Sequence, residues 1–216
     1  MPLKNFILDM FFPKFCLSCQ KEGDYLCQDC KATLGISGFH QKYKTSNLSD
    51  LYYPLSYQNK FIQNLIKKFK DEPLVKELAP TLSSLIIEHF QLADQKSDFK
   101  DFILIPLPLV KRRLKWRGYN QAEEIGKYLA EFFQIPLVSD VLIKIKTTLP
   151  QIELAKEKRE ENIRSAFAIK NPDLIQGKKI LLVDDIYTTG ATMEECARIL
   201  REAGAKEIIG IVVARG

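Results

Sequence analysis

Ile180-Leu-Leu-Val-Asp-Asp-Ile-Tyr-Thr-Thr-Gly-Ala-Thr192 is the stretch on which the fold turns. Its first four residues are apolar without interruption, as in a strand covered on both faces. The strand ends at two adjacent carboxylates, Asp184 and Asp185. A loop of small and hydroxylated residues follows, Tyr187, Thr188, Thr189, Gly190, Ala191 and Thr192, directly before a helix-length segment. Small residues let the backbone approach a ligand, the first amides of the helix point outward, and the threonine hydroxyls add donors, which together make a cradle for phosphate. Acids beside a phosphate need another partner, and the hydroxyls of a sugar supply one. The stretch therefore predicts a phosphorylated ribose lying across the carboxyl end of a sheet. The plainer reading of the same residues is a strand, loop and helix with Thr189 or Thr192 as N-cap and solvated acids. Neither a Walker loop nor a Gly-x-Gly-x-x-Gly fingerprint is present, which removes support for nucleoside triphosphates and dinucleotides.

Outward from this strand, elements alternate. Residues 102–105 read as a strand, 121–133 as a helix, 138–145 as a strand, 151–162 as a charged helix, 192–203 as a helix and 208–214 as a closing strand. Upstream, Phe61, Leu65, Ile66 and Phe69 recur at helical spacing, and a second periodic stretch follows up to Phe90. Strands separated by helix-length spacers make an α/β fold, a parallel sheet flanked by helices. The expected organisation is a small cysteine module over 1–35, a connector over 36–50 and the α/β domain over 51–216.

The chain has 216 residues, 46% apolar and 27% charged, which excludes disordered and fibrous classes, and no apolar run is long enough to cross a bilayer. Its mean hydropathy is -0.14. Four of the five cysteines fall within fifteen residues, as Cys16-x2-Cys19 and Cys27-x2-Cys30 with seven residues between. Two such knuckles bring four thiolates to one tetrahedral ion, and structural Zn2+ is the expected occupant because four thiolates leave no open position for catalysis. Two disulfides, an iron site and a metal-free redox pair are the alternatives. Asp9 interrupts the apolar N-terminus and no small-residue cleavage site follows, so no signal peptide is read and a cytoplasmic location, with reduced thiols, is expected. The apolar residues Phe6 to Phe12 are open between a membrane or partner surface and packing on the cysteine module. Cys196 reads as a small core residue, and His40 and His89 offer no acid–base constellation.

Val183-Asp-Asp-Ile-Tyr-Thr-Thr-Gly-Ala-Thr192 resembles the phosphoribosyl pyrophosphate (PRPP) motif of type I phosphoribosyltransferases. The wider chain resembles the ComF group of competence proteins, through Ile105-Pro-Leu-Pro108, Arg117-Gly-Tyr-Asn-Gln-Ala122, Gln151, Leu154, Arg159, Asn162, Ala166-Phe167 and the four cysteines. The resemblance implies that Asp184 and Asp185 bond the ribose hydroxyls, that the loop through Thr192 holds the 5-phosphate, and that Mg2+ accompanies PRPP. By resemblance Leu107, Arg117, Asn120 and Arg159 join the PRPP site, Asp185 is a candidate proton acceptor, and Lys146 to Arg164 correspond to the stretch that covers the ligand. The implied function is in natural transformation, handling incoming DNA on the cytoplasmic side, with other DNA-uptake proteins at the inner membrane as further partners. An active phosphoribosyltransferase acting on a small base or amine is the alternative, and a pure interaction adaptor is a third reading.

The formal charge is +5, and Lys111-Arg-Arg-Leu-Lys-Trp-Arg-Gly-Tyr119 carries five positive charges in its first seven positions, so the rest of the chain sums to zero. Lying between a strand and the helix at 121, this run belongs at the same sheet edge as the acidic loop. Lys111, Arg112, Arg113 and Lys115 interleaved with Trp116 and Tyr119 suit single-stranded DNA, where cations track phosphates and rings stack on bases. A solvated basic turn with Trp116 in the core is the alternative.

Overall fold

A computed structural model describes residues 13–71, 75–93, 98–145 and 166–216. Four strands form a parallel sheet in the order β1-β8-β6-β3: β1 (Asp50–Tyr52), β3 (Phe102–Pro106), β6 (Lys179–Val183) and β8 (Glu207–Ile211). Adjacent residues on these strands face opposite layers. Leu104, Leu181, Val183, Ile209 and Ile211 join one cluster with α2 (Lys60–Asp71), α3 (Leu78–Leu92) and most of α5 (Gln121–Phe133). Ile105, Ile180, Leu182 and Ile208 join a second with Cys196 and Leu200 of α6 (Ala191–Glu202). That is why the strand at 180 reads as a continuous apolar run: both of its faces are covered.

The sheet then bends. Tyr53 and Pro54, Val212 and Val213, and Asp184 and Asp185 interrupt β1, β8 and β6, after which the three chains resume as β2 (Leu55–Ser56), β9 (Ala214–Arg215) and β7 (Ile186–Tyr187). These form a second parallel sheet in the matching order β2-β9-β7. The Asp184 amide donates to Ile211 O at 3.1 Å and the Val213 amide to Asp185 O at 3.0 Å, so the break is itself hydrogen-bonded. The expected closing strand over 208–214 is therefore two strands in two sheets.

The expected strand over 138–145 is corrected more heavily. Residues 136–138 touch the edge of β3 only through a Leu104–Leu137 bridge. Pro136, which has no amide proton, limits further pairing. Only β4 (Leu142–Lys144) is a strand, and it pairs antiparallel with β5 (Phe167–Ile169) apart from the main sheet. The basic run is not a turn but a helix, α4 (Lys111–Arg117), ended by Gly118 in the left-handed conformation at φ 83°. Residues 146–165, which hold the expected charged helix, lie outside the described residues, as do Phe6 to Phe12.

The cysteine module, with its short helix α1 (Gln28–Ala32), docks on α2 and α3. Leu26 is buried with those helices, and Lys14–Glu77 and Lys31–Glu88 ion pairs at 2.8 and 2.7 Å flank it. His40 stacks on Tyr52 at 3.9 Å and pairs with Asp50 at 2.9 Å, and His89 is buried with Nδ1 on Ser37 O. No described helix is long and apolar enough to cross a membrane.

Candidate functional site

A cleft of about 240 Å3 opens where β6 breaks, between the residues that follow β3 and the loop leading into α6. Its floor is set by geometry around one glycine. Gly190 caps α6 at φ 77°, and an added Cβ there would stand 2.2 Å from the Tyr187 hydroxyl. Tyr187 is buried under the loop, donates to Glu194 Oε1 at 3.2 Å and meets Tyr43 edge-on at 5.9 Å. Gly190 is the N-cap and Thr192 lies inside the helix, while Thr189 Oγ1 accepts the Ala191 amide at 3.5 Å from just outside it. The amides of the first turn, from Ala191 to Met193, have no intrahelical acceptor by helix geometry and border the cleft beside Thr188, Thr189 and Thr192. Thr188 and Thr189 are exposed.

The two acids differ. Asp184 accepts the amide of Asp185 at 2.9 Å. Burial, and then the charge of Asp185, push its carboxyl up to about 7. Asp185 is 1% exposed, and its Oδ1 lies 2.8 Å from Nζ of Lys70, a residue of α2. Burial opposes the charge on Lys70, but Asp185 and Asp184 outweigh it and the ammonium titrates above its ordinary range.

Three further cations reach the cleft. Arg117 is 5% exposed, its Nη1 donates to Gln121 Oε1, and burial lowers its pKa against the pull of Asp185. Arg113, one turn earlier on α4, also borders it, and so does Lys144 from β4, whose pKa burial lowers. Four cations thus face two acids, and the cleft suits a ligand with several negative charges. Leu107 lines it, with its amide on Val183 O at 2.9 Å. Asn120 stands behind: Nδ2 donates to Leu107 O at 3.0 Å while Oδ1 accepts the Ala122 amide at 3.1 Å, so it braces the loop and caps α5. Arg159, Asn162, Lys146 and Arg164 lie outside the described residues.

Lys70, Gln121 and Lys144 were not singled out by the sequence, and Arg113 was assigned to DNA. Helix α4 explains the last point. Arg113 and Arg117, four residues apart, share the face toward the cleft, Arg113 exposed and Arg117 buried, while Lys111, Arg112, Lys115 and Trp116 are exposed away from it. Trp116 is 55% exposed, so it is not packed in the core. Tyr119 is the buried ring instead, its hydroxyl donating to Phe69 O at 2.5 Å, and it cannot stack on a base.

Against the C-terminal half of α2, where Lys68 lies over the Tyr25 ring, the sulfurs of Cys16, Cys19, Cys27 and Cys30 lie within 4.8 Å of one another. Metal–thiolate bonds of about 2.3 Å at tetrahedral angles need sulfurs roughly 3.8 Å apart, so the donor set fits a metal ion. Burial pushes the Cys16 thiol up, but the amides of Cys19, Cys27 and Ser18 outweigh it and bring it down to about 6. Cys196 is buried in the core.

A family model described as a phosphoribosyl transferase domain matches residues 122–216, from the start of α5 through the acidic loop to β9. Competence protein F of Haemophilus influenzae is 34% identical over 106 residues, 49% of this chain and 46% of that protein. DNA utilization protein YhgH of Salmonella typhimurium is 29% identical over 133 residues, 61% and 58% respectively. Competence protein ComFC of Bacillus subtilis is 37% identical over 107 residues, 49% and 40% respectively. The chain spans about half the length of the curated relatives it matches.

Proposed function

We propose, this chain being a ComF-group protein with a phosphoribosyltransferase domain, that it binds PRPP in the cleft and single-stranded DNA on the outer face of α4. Its role is to assist the handling of incoming DNA on the cytoplasmic side of the inner membrane, beside other DNA-uptake proteins. One observation carries the PRPP reading: the amides of α6, the Asp184–Asp185 pair and four cations converge on a single cleft. The helix start and threonine loop take the 5-phosphate, Asp184 accepts from ribose hydroxyls, and Arg113, Arg117 and Lys144 face the pyrophosphate. Mg2+ belongs to the PRPP complex as a companion of the pyrophosphate. At the cysteines, four soft thiolates select Zn2+, which supplies a structural crosslink there.

Calorimetry with PRPP tests the cleft. Replacing both acids, Asp184→Asn with Asp185→Asn, removes the ribose acceptors and is expected to weaken binding by at least about tenfold. Equal binding by parent and variant would sink the reading.

The DNA reading rests on four exposed residues of α4, Lys111, Arg112, Lys115 and Trp116. Cations of that kind contribute through counter-ion release, and an exposed indole adds stacking of about 1 to 3 kcal/mol per base. Alanine at Lys111, Arg112 and Lys115 is expected to reduce the slope of log affinity against log salt by roughly 0.7 for each contact removed. A triple variant that binds single strands with the parental slope rules this helix out as the DNA surface.

A further inference from the structure

Lys70 enters the cleft from outside the strand–loop–helix units that build it. It lies one residue before the last residue of α2, a helix whose buried face is Ile62, Leu65, Ile66 and Phe69. Packing of Phe69 in the core, where its carbonyl also accepts the Tyr119 hydroxyl, fixes where the next residue points. That direction brings Nζ to 2.8 Å from Asp185 Oδ1. Asp185 is almost wholly shielded from solvent, and its Oδ2 meets no hydrogen-bond donor among the described residues.

Two adjacent carboxylates at the mouth of an anion cleft are hard oxygen donors of the kind that bind Mg2+ or Mn2+. Here an ammonium already stands on one of them. Arg117 and Lys144, with Arg113, add positive charge around the same space, so a free dication would meet repulsion from several sides. Lys70, unlike a metal, is delivered by the fold and cannot diffuse away.

We infer that Lys70 is an internal counter-ion that takes the place of a divalent cation at Asp184 and Asp185, so that metal enters this cleft only on an anionic ligand. Lys70 is on this view a positioning and selectivity residue. It neutralises Asp185 while leaving the second oxygen of that acid and the carboxylate of Asp184 to accept from hydroxyls. This role rests on the PRPP reading of the cleft, in which a metal accompanies the ligand. Its test uses Mn2+ alone, so the two readings fail separately.

The experiment measures free Mn2+ by electron paramagnetic resonance during titration of the full chain with its cysteine metal bound. It is done near pH 8, above the value of about 7 to which Asp184 is pushed. Parent and Lys70→Arg are expected to show no carboxylate site tighter than about 1 mM, a weak range for oxygen-only Mg2+-type sites. Lys70→Met removes the charge and keeps much of the length. It is expected to gain one Mn2+ per chain at least about tenfold tighter, and the gain should vanish in Lys70→Met with Asp185→Asn. The inference is overturned if folded Lys70→Met gains no site, or if the parent already binds Mn2+ within threefold of that variant in a manner that Asp185→Asn abolishes. The parental titration needs no variant at Lys70, and Lys70→Gln repeats the comparison if Lys70→Met does not fold.

Discussion

Gly190→Ala is expected to abolish measurable PRPP binding and to lower the melting temperature by several degrees. Two independent penalties meet at this residue. Its φ of 77° lies in the left-handed region, which costs an L-residue about 1 to 2 kcal/mol. The added methyl would also lie 2.2 Å from the Tyr187 hydroxyl and 2.3 Å from its Cζ. Tyr187 is buried and held by its bond to Glu194 and its contact with the Tyr43 ring, so the ring can retreat only by giving these up. Overpacking of that kind costs about 1 to 3 kcal/mol, and where the loop moves instead, the amides at the start of α6 move with it. A total near 2 to 5 kcal/mol corresponds to roughly 5 to 15 °C in a chain of this size. Tyr187→Phe cannot rescue the variant, because the contact with Cζ persists. Thermal melts and PRPP calorimetry check both halves. A Gly190→Ala protein with parental melting and affinity would show that the loop is not the phosphate cradle.

Cys27→Ser should have the second large effect, in the cysteine module. The module over 13–34 buries little beyond Cys16 and Leu26, far too little to fold by itself. Its geometry depends on four sulfurs closing on one ion, and such an ion contributes on the order of 10 to 16 kcal/mol to folding of small zinc units. Cys27 also caps α1, its sulfur accepting the Cys30 amide at 3.5 Å, so serine disturbs ligand and helix together. Zinc content measured by a chromophoric chelator is expected to fall from one per chain toward zero. Limited proteolysis should then cut within 13–34, while PRPP affinity changes by less than about threefold, since no cysteine of the module borders the cleft. A Cys27→Ser protein that is fully folded and protease-resistant without metal would sink the structural role of the ion.

The parts of the site that could be read in advance are those carried by contiguous residues. A buried strand, two acids and a small-residue loop must follow one another to build a cradle, so Asp184 to Thr192 declare themselves. The cysteine spacing does the same, because a tetrahedron limits the chain between ligands. Lys70 is different. In sequence it belongs with Lys67 and Lys68 to a charged helix edge, and only the packing of Phe69 sends it to Asp185. In the basic run Trp116 is exposed, which sets aside the alternative that packs it in the core, and Arg117 is buried against the usual preference of arginine for the surface. Seven residues without an apolar stripe also gave no period from which to read a helix, although lysine, arginine and leucine favour one. The bend in the sheet has no local signature in β8, since Val212 and Val213 look like strand yet leave the pairing between Ile211 and Ala214.

That bend has a consequence for how the molecule is assembled in time. One strand of the small sheet β2-β9-β7, β7, lines the cleft, and in that sheet Leu55 pairs with Ala214 and Ile186 pairs with the same residue. The Gly216 amide closes on Tyr187 O at 2.9 Å, beside the start of the Thr188–Gly190 loop. Contacts spanning so much of the sequence form slowly, because loop closure must precede any gain from pairing. As the chain leaves the ribosome, the cysteine module and helices α2 and α3 can collapse on one another through nearby contacts. The cleft cannot close until residues 214–216 arrive, so recognition of an anion follows the helical layer in the order of assembly.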